Sequence, residues 1–293
     1  MAEARESALS CCLVTAQTWL GDPSVYHGEG AFWDPTAGAL RYVDITRGDV
    51  HTLHDGGWSV THVSDVAAVI RLRAGGGYVM AVEHGFLLLD AELRPEREIP
   101  VFEDPELRMN EGGVDPSGRL YVGSMNYDER IDGGVLYRLD PDLGVRVVRD
   151  PVSIPNGLVW SPDGRTAFHA DSPHQQIYAY DVDPVTGAFG ERRTHIRLAS
   201  GYPDGMAMDA DGGLWVAVWS SGQVRRFDAA GNLADVIEVG VTNPTSCAFG
   251  GEDGRTLFIT TSKKDVPVPE EHAGQVLALP VGISGAPVHR FVG

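Results

Sequence analysis

Four oxygen-bearing side chains stand at nearly one phase of a recurring pattern: Glu29 in GEGAFWD, Asn110 in RMNEGGVD, Asn156 in IPNGLVW and Asp204 in YPDGMAMD. Asn110, Asn156 and Asp204 each lie eight positions before a turn glycine (Gly118, Gly164 and Gly212), and Glu29 lies nine before Gly38. If that phase of the repeat faces one mouth of a channel, two carboxylates and two amide oxygens converge there. Such a hard-oxygen set suits Ca2+, Mg2+ or Mn2+. Zn2+ and Fe2+ fit it less directly, because no His or Cys joins the set. Asn-Gly and Asp-Gly are also strong hairpin-turn signals, so each dipeptide alone reads as a turn. Here the turn role is already taken by DPSG, SPDG and DADG, and both Asn156 and Asp204 follow Pro and precede an expected strand.

The elements that must position these residues repeat along the chain. DPTAGALRYVDI, DPSGRLYVGSM, SPDGRTAFHAD, DADGGLWVAVW and GEDGRTLFITT each join a polar Gly-containing turn to an apolar or alternating strand, and RAGGGYVMAVE is a degenerate sixth copy. The turn glycines Gly38, Gly76, Gly118, Gly164, Gly212 and Gly254 are spaced by 38, 42, 46, 48 and 42 residues. A further alternating strand follows in each unit, as in GGVLYRLD, HQQIYAYD and GQVRRFD. About four short strands fit each period, which is the signature of a propeller blade. The expectation is an all-β, six-bladed β-propeller occupying residues 1–293 as one domain, with about 1–12 as a flexible N-terminal extension. A helical solenoid of similar period would need long 3.6-periodic stretches, which the Gly and Pro spacing leaves no room for.

Composition agrees with this reading. The 36 Gly and 18 Pro among 293 residues exceed the roughly 12% combined background, while 43% hydrophobic residues supply a large core. The net charge of -18 argues against nucleic acid and anionic membranes as partners. Cys11, Cys12 and Cys247 form no CxxC, and MAEARESALS is followed only by the short apolar CCLV. A cytoplasmic protein acting on a small molecule, as a monomer or weak homo-oligomer, is expected.

The segments GEGAFWD, RMNEGGVDPSGRLYVGSM, PNGLVWSPDGRTAFHAD, PDGMAMDADGGLWVAVW and NPTSCAFGGEDGRTLFITT together resemble the regucalcin, gluconolactonase and luciferin-regenerating family, also called the senescence marker protein family. The match runs from about Val14 to the C-terminus. The resemblance implies one divalent metal held by residues matching Glu29, Asn156 and Asp204, and metal-dependent hydrolysis of lactones, commonly sugar lactones. It implies further that Asp204 is the general base and that Arg108 and Asn110 hold substrate. Where the family often has a substrate-contacting Glu, the run here is Asn126, Tyr127, Asp128, Glu129, with Asp128 the nearest match in register. Other departures are Glu111 after Asn110, Gly113 where Lys is frequent, and HGEGA in place of LGEGP, with Tyr26 and His27 ahead of Glu29.

A divalent ion (Ca2+, Mg2+, Mn2+, Zn2+ or Fe2+) can polarise a lactone carbonyl, and a positioned carboxylate can take the proton of the attacking water. Arg108 can orient the lactone or its carboxylate product through a forked pair of hydrogen bonds, and Asp128 can recognise sugar hydroxyls from the rim. A phosphotriesterase-type hydrolase and a non-catalytic metal-binding module are the alternatives. His51 and His54 in HTLHDGG read as an exposed loop beside a turn. Ser246 and Cys247 read as channel packing, and Trp33, Trp160 and Trp215 as blade core, with Trp219 a candidate for the pocket wall.

Overall fold

In each of the expected repeats the turn glycine needs a left-handed backbone, which glycine adopts without steric cost. The computed structural model, which describes residues 17–54 and 57–293, has all six of them there, with φ from 61° at Gly38 to 102° at Gly76. Side chains complete the turns. Asp34, Asp115 and Asp209 each accept a hydrogen bond from the backbone N–H two residues on, at 2.9 to 3.0 Å. Cys11, Cys12 and the proposed N-terminal extension lie outside the described residues.

Each turn joins the first two strands of a four-stranded antiparallel sheet, and six such sheets form a β-propeller. Blades 1 to 5 begin with the strands Gly28–Asp34, Ala67–Leu72, Leu107–Val114, Pro155–Trp160 and Tyr202–Met208. Blade 6 begins with Pro244–Gly250 and closes the ring. Its outermost strand is Thr18–Trp19 from the start of the chain, paired with Leu277–Pro280. Hydrogen bonds within blade 6 between early and late segments of the chain thus replace a free seam, a closure that ties the ring together. Phe291, near the C-terminus and fully buried, is tied to blade 2 by its N–H donating to Leu72 O at 2.9 Å. Among the described residues the one helical segment is a 3-10 turn at Ser172–His174, and no helix is long and apolar enough to cross a membrane.

The six first strands stand side by side around the central channel. Every one of them shifts register against its second strand at the same level: between Glu29 and Phe32, Ala67 and Val69, Met109 and Gly112, Pro155 and Leu158, Pro203 and Met206, and Pro244 and Ser246. A bulge of this kind bends the strand and re-aims a side chain. Asn110, Asn156 and Asp204 sit inside these bulges and Glu29 at the edge of one. Asn156 and Asp204 are therefore within strands, where the sequence reading put them just ahead of one.

The glycine after each of these residues has a spatial reason. A Cβ on Gly157 would lie 2.7 Å from Met206 N and 2.8 Å from Asp204 O, and a Cβ on Gly205 would lie 2.5 Å from Ser246 Oγ. The neighbouring first strand passes too close for any side chain. Gly157→Ala should therefore cost about 1 to 3 kcal/mol by overpacking against backbone that cannot yield. Thermal unfolding should show a fall of several degrees, and an unchanged melting temperature would mean that the channel is looser than described.

His51 and His54 depart from the exposed-loop expectation. Both lie in the strand Asp49–His54. His51 is buried and stacked on Tyr42 at 4.9 Å, whereas His54 is exposed. Residues three apart on a strand point to opposite faces, so they cannot share a ligand.

Candidate active site

At one mouth of the channel a cavity of about 340 Å3 gathers Glu29, Arg108, Asn110, Asn156 and Asp204 with His27, Ser172, Trp219, Glu129 and Lys264. Five of the six sequence-derived site residues meet here. The sixth, Asp128, does not. Its side chain is 65% exposed, and its carboxylate accepts the Arg130 backbone N–H at 3.2 Å. The strand ends at Asn126, and in the turn that follows, where Glu129 is left-handed with φ 59°, it is Glu129 that lines the cavity.

The polar wall from blade 3 to blade 5 is one directed chain of hydrogen bonds. Arg108 Nη1 donates to Asn110 Oδ1 at 2.7 Å, and Asn110 Nδ2 donates to Asn156 Oδ1 and Pro155 O, both at 2.9 Å. Asn156 Nδ2 then donates to Ser172 Oγ at 2.7 Å, and Ser172 donates to Pro203 O at 2.6 Å. Both N–H groups of Asn110 are thus occupied. The Asn156 carbonyl is held toward Asn110 and keeps a second lone pair free. Arg108 has no carboxylate within ion-pair distance among the described residues, and burial lowers its pKa from the ordinary guanidinium value.

The carboxylates are treated differently. Among the described residues, Glu29 Oε2, Glu111 Oε2 and Asp204 Oδ1 are buried and have no hydrogen-bond partner. Burial, then the neighbouring Glu111, holds the Glu29 carboxyl well above the usual range. Burial, then Glu29 and Glu111, does the same for Asp204. Glu111, one layer deeper, is raised to about 7 by burial, partly offset by Arg71. Three acidic groups therefore crowd a dry region with too little compensating charge, the situation that a bound cation relieves. Among the described residues no trio of His, Cys, Asp and Glu forms a metal cluster. A cation held by Glu29 and Asp204 would need a neutral oxygen as a third donor, and the free lone pair of Asn156 supplies one. The donor set fits a hard divalent ion.

The mouth is crossed by an ion pair. Lys264 from blade 6 reaches Glu129 from blade 3, on the opposite side of the ring, at 2.7 Å, and also meets Asp265 at 3.0 Å. Its ammonium lies 5.7 Å from the centre of the Trp219 ring. Burial opposes the charge on Lys264, but the two carboxylates outweigh it and raise its pKa. The sequence carried no signal for Lys264 or Glu129, which lie in loops, whereas Ser172 stands eight residues after Gly164, the phase that Asn126 and Ser262 hold after Gly118 and Gly254, a signal that could have found it. Trp219 lines the cavity as considered, while Trp33, Trp160 and Trp215 pack in the blades. Cys247 is buried, with Sγ donating to Trp215 O at 3.2 Å and its thiol pushed up by burial, so it is no nucleophile.

Residues 27–263 match the family model described as the SMP-30/Gluconolactonase/LRE-like region. The chain is 34% identical over 284 residues to a 6-deoxy-6-sulfogluconolactonase of Pseudomonas putida, covering 92% of this chain and 96% of that one. It is 33% identical over 284 residues to regucalcin of Danio rerio, covering 91% and 95%. Among solved structures, a calcium-binding regucalcin of Agrobacterium tumefaciens superposes with a TM-score of 0.88 at 25% identity over 95% of this chain and 97% of the other. A luciferin-regenerating enzyme superposes at 0.84 with 26% identity, over 94% and 99%.

Because the Lys264 pair is partly exposed, its net stabilisation is about 0.2 to 1 kcal/mol. Lys264→Met should leave the melting temperature nearly unchanged. Hydrogen exchange of the loops around Tyr127–Arg130 and Ser262–Val266 should nevertheless accelerate roughly fivefold, a local effect separable from global stability. Unaltered exchange in both loops would show that the pair does not hold the mouth.

Proposed function

Because the chain belongs to the SMP-30/gluconolactonase/LRE-like family, we propose that it is a metal-dependent hydrolase that opens a lactone ring, a sugar lactone in the first instance. The observation that carries the metal is the pair of buried, unpartnered carboxylate oxygens, Glu29 Oε2 and Asp204 Oδ1, beside Asn156. Glu29, Asn156 and Asp204 would hold a divalent ion, which supplies Lewis acidity at the carbonyl oxygen. Calcium is named for one structural relative, and that name supports a divalent ion without identifying it.

The chain's own groups account for the remaining chemistry. Asp204 takes a proton from the water that adds to the carbonyl carbon, and returns it to the ring oxygen as the ring C–O bond breaks. The product is a hydroxy acid. Arg108 uses only Nη1 on the protein, so Nη2 is free for a ring or carboxylate oxygen of the ligand. Asn110, whose N–H groups are spent, orients Asn156 and can accept from a ligand hydroxyl through Oδ1. At the rim the role assigned from sequence to Asp128 passes to Glu129, whose carboxylate faces the cavity.

The test is acid release from gluconolactone, xylonolactone, arabinolactone and a simple aliphatic lactone by metal-stripped protein, with and without each divalent ion. Turnover should depend on the ion and fall by roughly 10²-fold or more in Asp204→Asn. The lactonase reading is lost if no lactone is opened faster than it opens spontaneously and Asp204→Ala changes nothing.

A second outcome follows from the crowded carboxylates. In chelator, Asp204→Asn removes a buried charge that costs about 1 to 3 kcal/mol. The variant should then melt roughly 2 to 6 °C above the metal-stripped parent. With the ion present, the order should reverse, since only the parent gains binding energy. Calorimetry of the two proteins in both conditions checks both signs.

A further inference from the structure

His27 stands in the cavity wall without a task in the scheme above. It precedes Glu29 by two residues, is buried, and joins blade 1 to the Ser262 segment of blade 6 through an isolated β-bridge. Its ring is packed edge-on to Trp219, with centroids 5.7 Å apart and planes at 80°. Nδ1 lies 2.8 Å from Ser262 Oγ. Nε2 lies 3.8 Å from Glu29 Oε1, beyond hydrogen-bond reach, and has no other protein partner among the described residues.

The tautomer depends on where Ser262 sends its proton. Its Oγ already accepts the Lys264 backbone N–H at 2.9 Å and has one proton to give. The two acceptors within range are His27 Nδ1 at 2.8 Å and the Tyr26 carbonyl at 3.3 Å. Where the shorter contact takes the proton, Nδ1 is an acceptor and the hydrogen of the neutral imidazole sits on Nε2. In that tautomer an N–H donor faces the cavity next to Glu29, with the ring held by Trp219 on one side and Ser262 on the other.

We propose that His27 is a specificity-determining residue: its Nε2–H donates to the ligand hydroxyl on the carbon next to the lactone carbonyl. The inference rests on the lactone-binding reading of this cavity. Its basis is placement. His27 and Glu29 line the same cavity with Nε2 3.8 Å from Glu29 Oε1, so a hydroxyl on the carbon beside a carbonyl that faces Glu29 is within reach of Nε2. A buried donor that must find an oxygen selects against ligands lacking one, because an unmatched donor is left dry. The site would thus favour 2-hydroxy lactones over 2-deoxy and aliphatic ones.

The experiment is a cycle between enzyme and ligand. Parent, His27→Leu and His27→Gln proteins are compared on D-glucono-1,5-lactone and its 2-deoxy analogue. His27→Leu should lower kcat/KM on the hydroxylated lactone by 10- to 100-fold and on the 2-deoxy lactone by less than threefold. His27→Gln, which keeps an N–H donor, should recover most of the loss. Equal losses on both lactones would overturn the proposal.

Two readouts do not need turnover. Long-range 1H–15N spectra of the parent should place the His27 proton on Nε2, and a proton on Nδ1 would overturn the proposal. The same cycle is then run as binding of D-gluconate and 2-deoxy-D-gluconate to the calcium-loaded proteins by titration calorimetry. A cycle that holds in binding while no lactone is opened supports His27 and sinks the lactonase. Turnover without any cycle in either measurement does the reverse. Calcium affinity is measured alongside, and a tenfold loss in His27→Leu that accounts for the ligand effects would assign His27 to the ion site and overturn its role in ligand choice.

Discussion

Six strands have to share one narrow axis, and most other features of the molecule answer to that crowding. Backbone passes so close to backbone that Gly157 and Gly205 leave no room for a Cβ. Each first strand relieves its pairing with a bulge at the same level. A bulge turns one side chain off the regular alternation and into the channel. The packing problem of the ring and the aim of the site residues therefore have one solution, repeated blade by blade.

What the ring gathers is electrostatically unbalanced. On one side of the cavity the side chains are joined by one hydrogen-bond chain, from Arg108 through Asn110 and Asn156 to Ser172. On the other, Glu29 and Asp204 keep buried oxygens with nothing to bind. The asymmetry is a chemical statement. The hydrogen-bond chain rigidifies the amides so that they need no ligand to stay in place, while burial first, and then the charge of neighbouring carboxylates, holds the pKa of Glu29 and Asp204 up. Buried polar groups are normally satisfied, so open carboxylate oxygens gathered at one end of the channel mark a place where something else binds.

The mouth obeys other rules. Glu129 and Lys264 come from the loops between second and third strands of blades 3 and 6, which differ in length from blade to blade, so no phase argument reaches them. Asp128 and Glu129 show the difficulty. Register against related motifs selects Asp128, but in the turn after Asn126, with Glu129 left-handed, Glu129 lines the cavity and Asp128 does not. Lys264 is invisible for a related reason: its partner is 135 residues away in the chain and is brought opposite only by closure of the ring. His27 was conspicuous by position, yet nothing local told which of its nitrogens would be free.

The sequence by itself determined the blade count, the turn glycines and the level of the ring at which Glu29, Asn110, Asn156 and Asp204 meet, because a repeat carries its geometry in its period. Arg108 followed from the motif around Asn110. It also misled where local pattern was the only guide, reading His51 as loop when it is a buried blade residue stacked on Tyr42. Only the tertiary structure decided which carboxylate faces the cavity at the rim, which atoms of the site are already spent on one another, and which residues close its mouth. Those are contacts between blades far apart in the chain. They depend on loop conformation and ring closure, which no residue's type or spacing encodes alone.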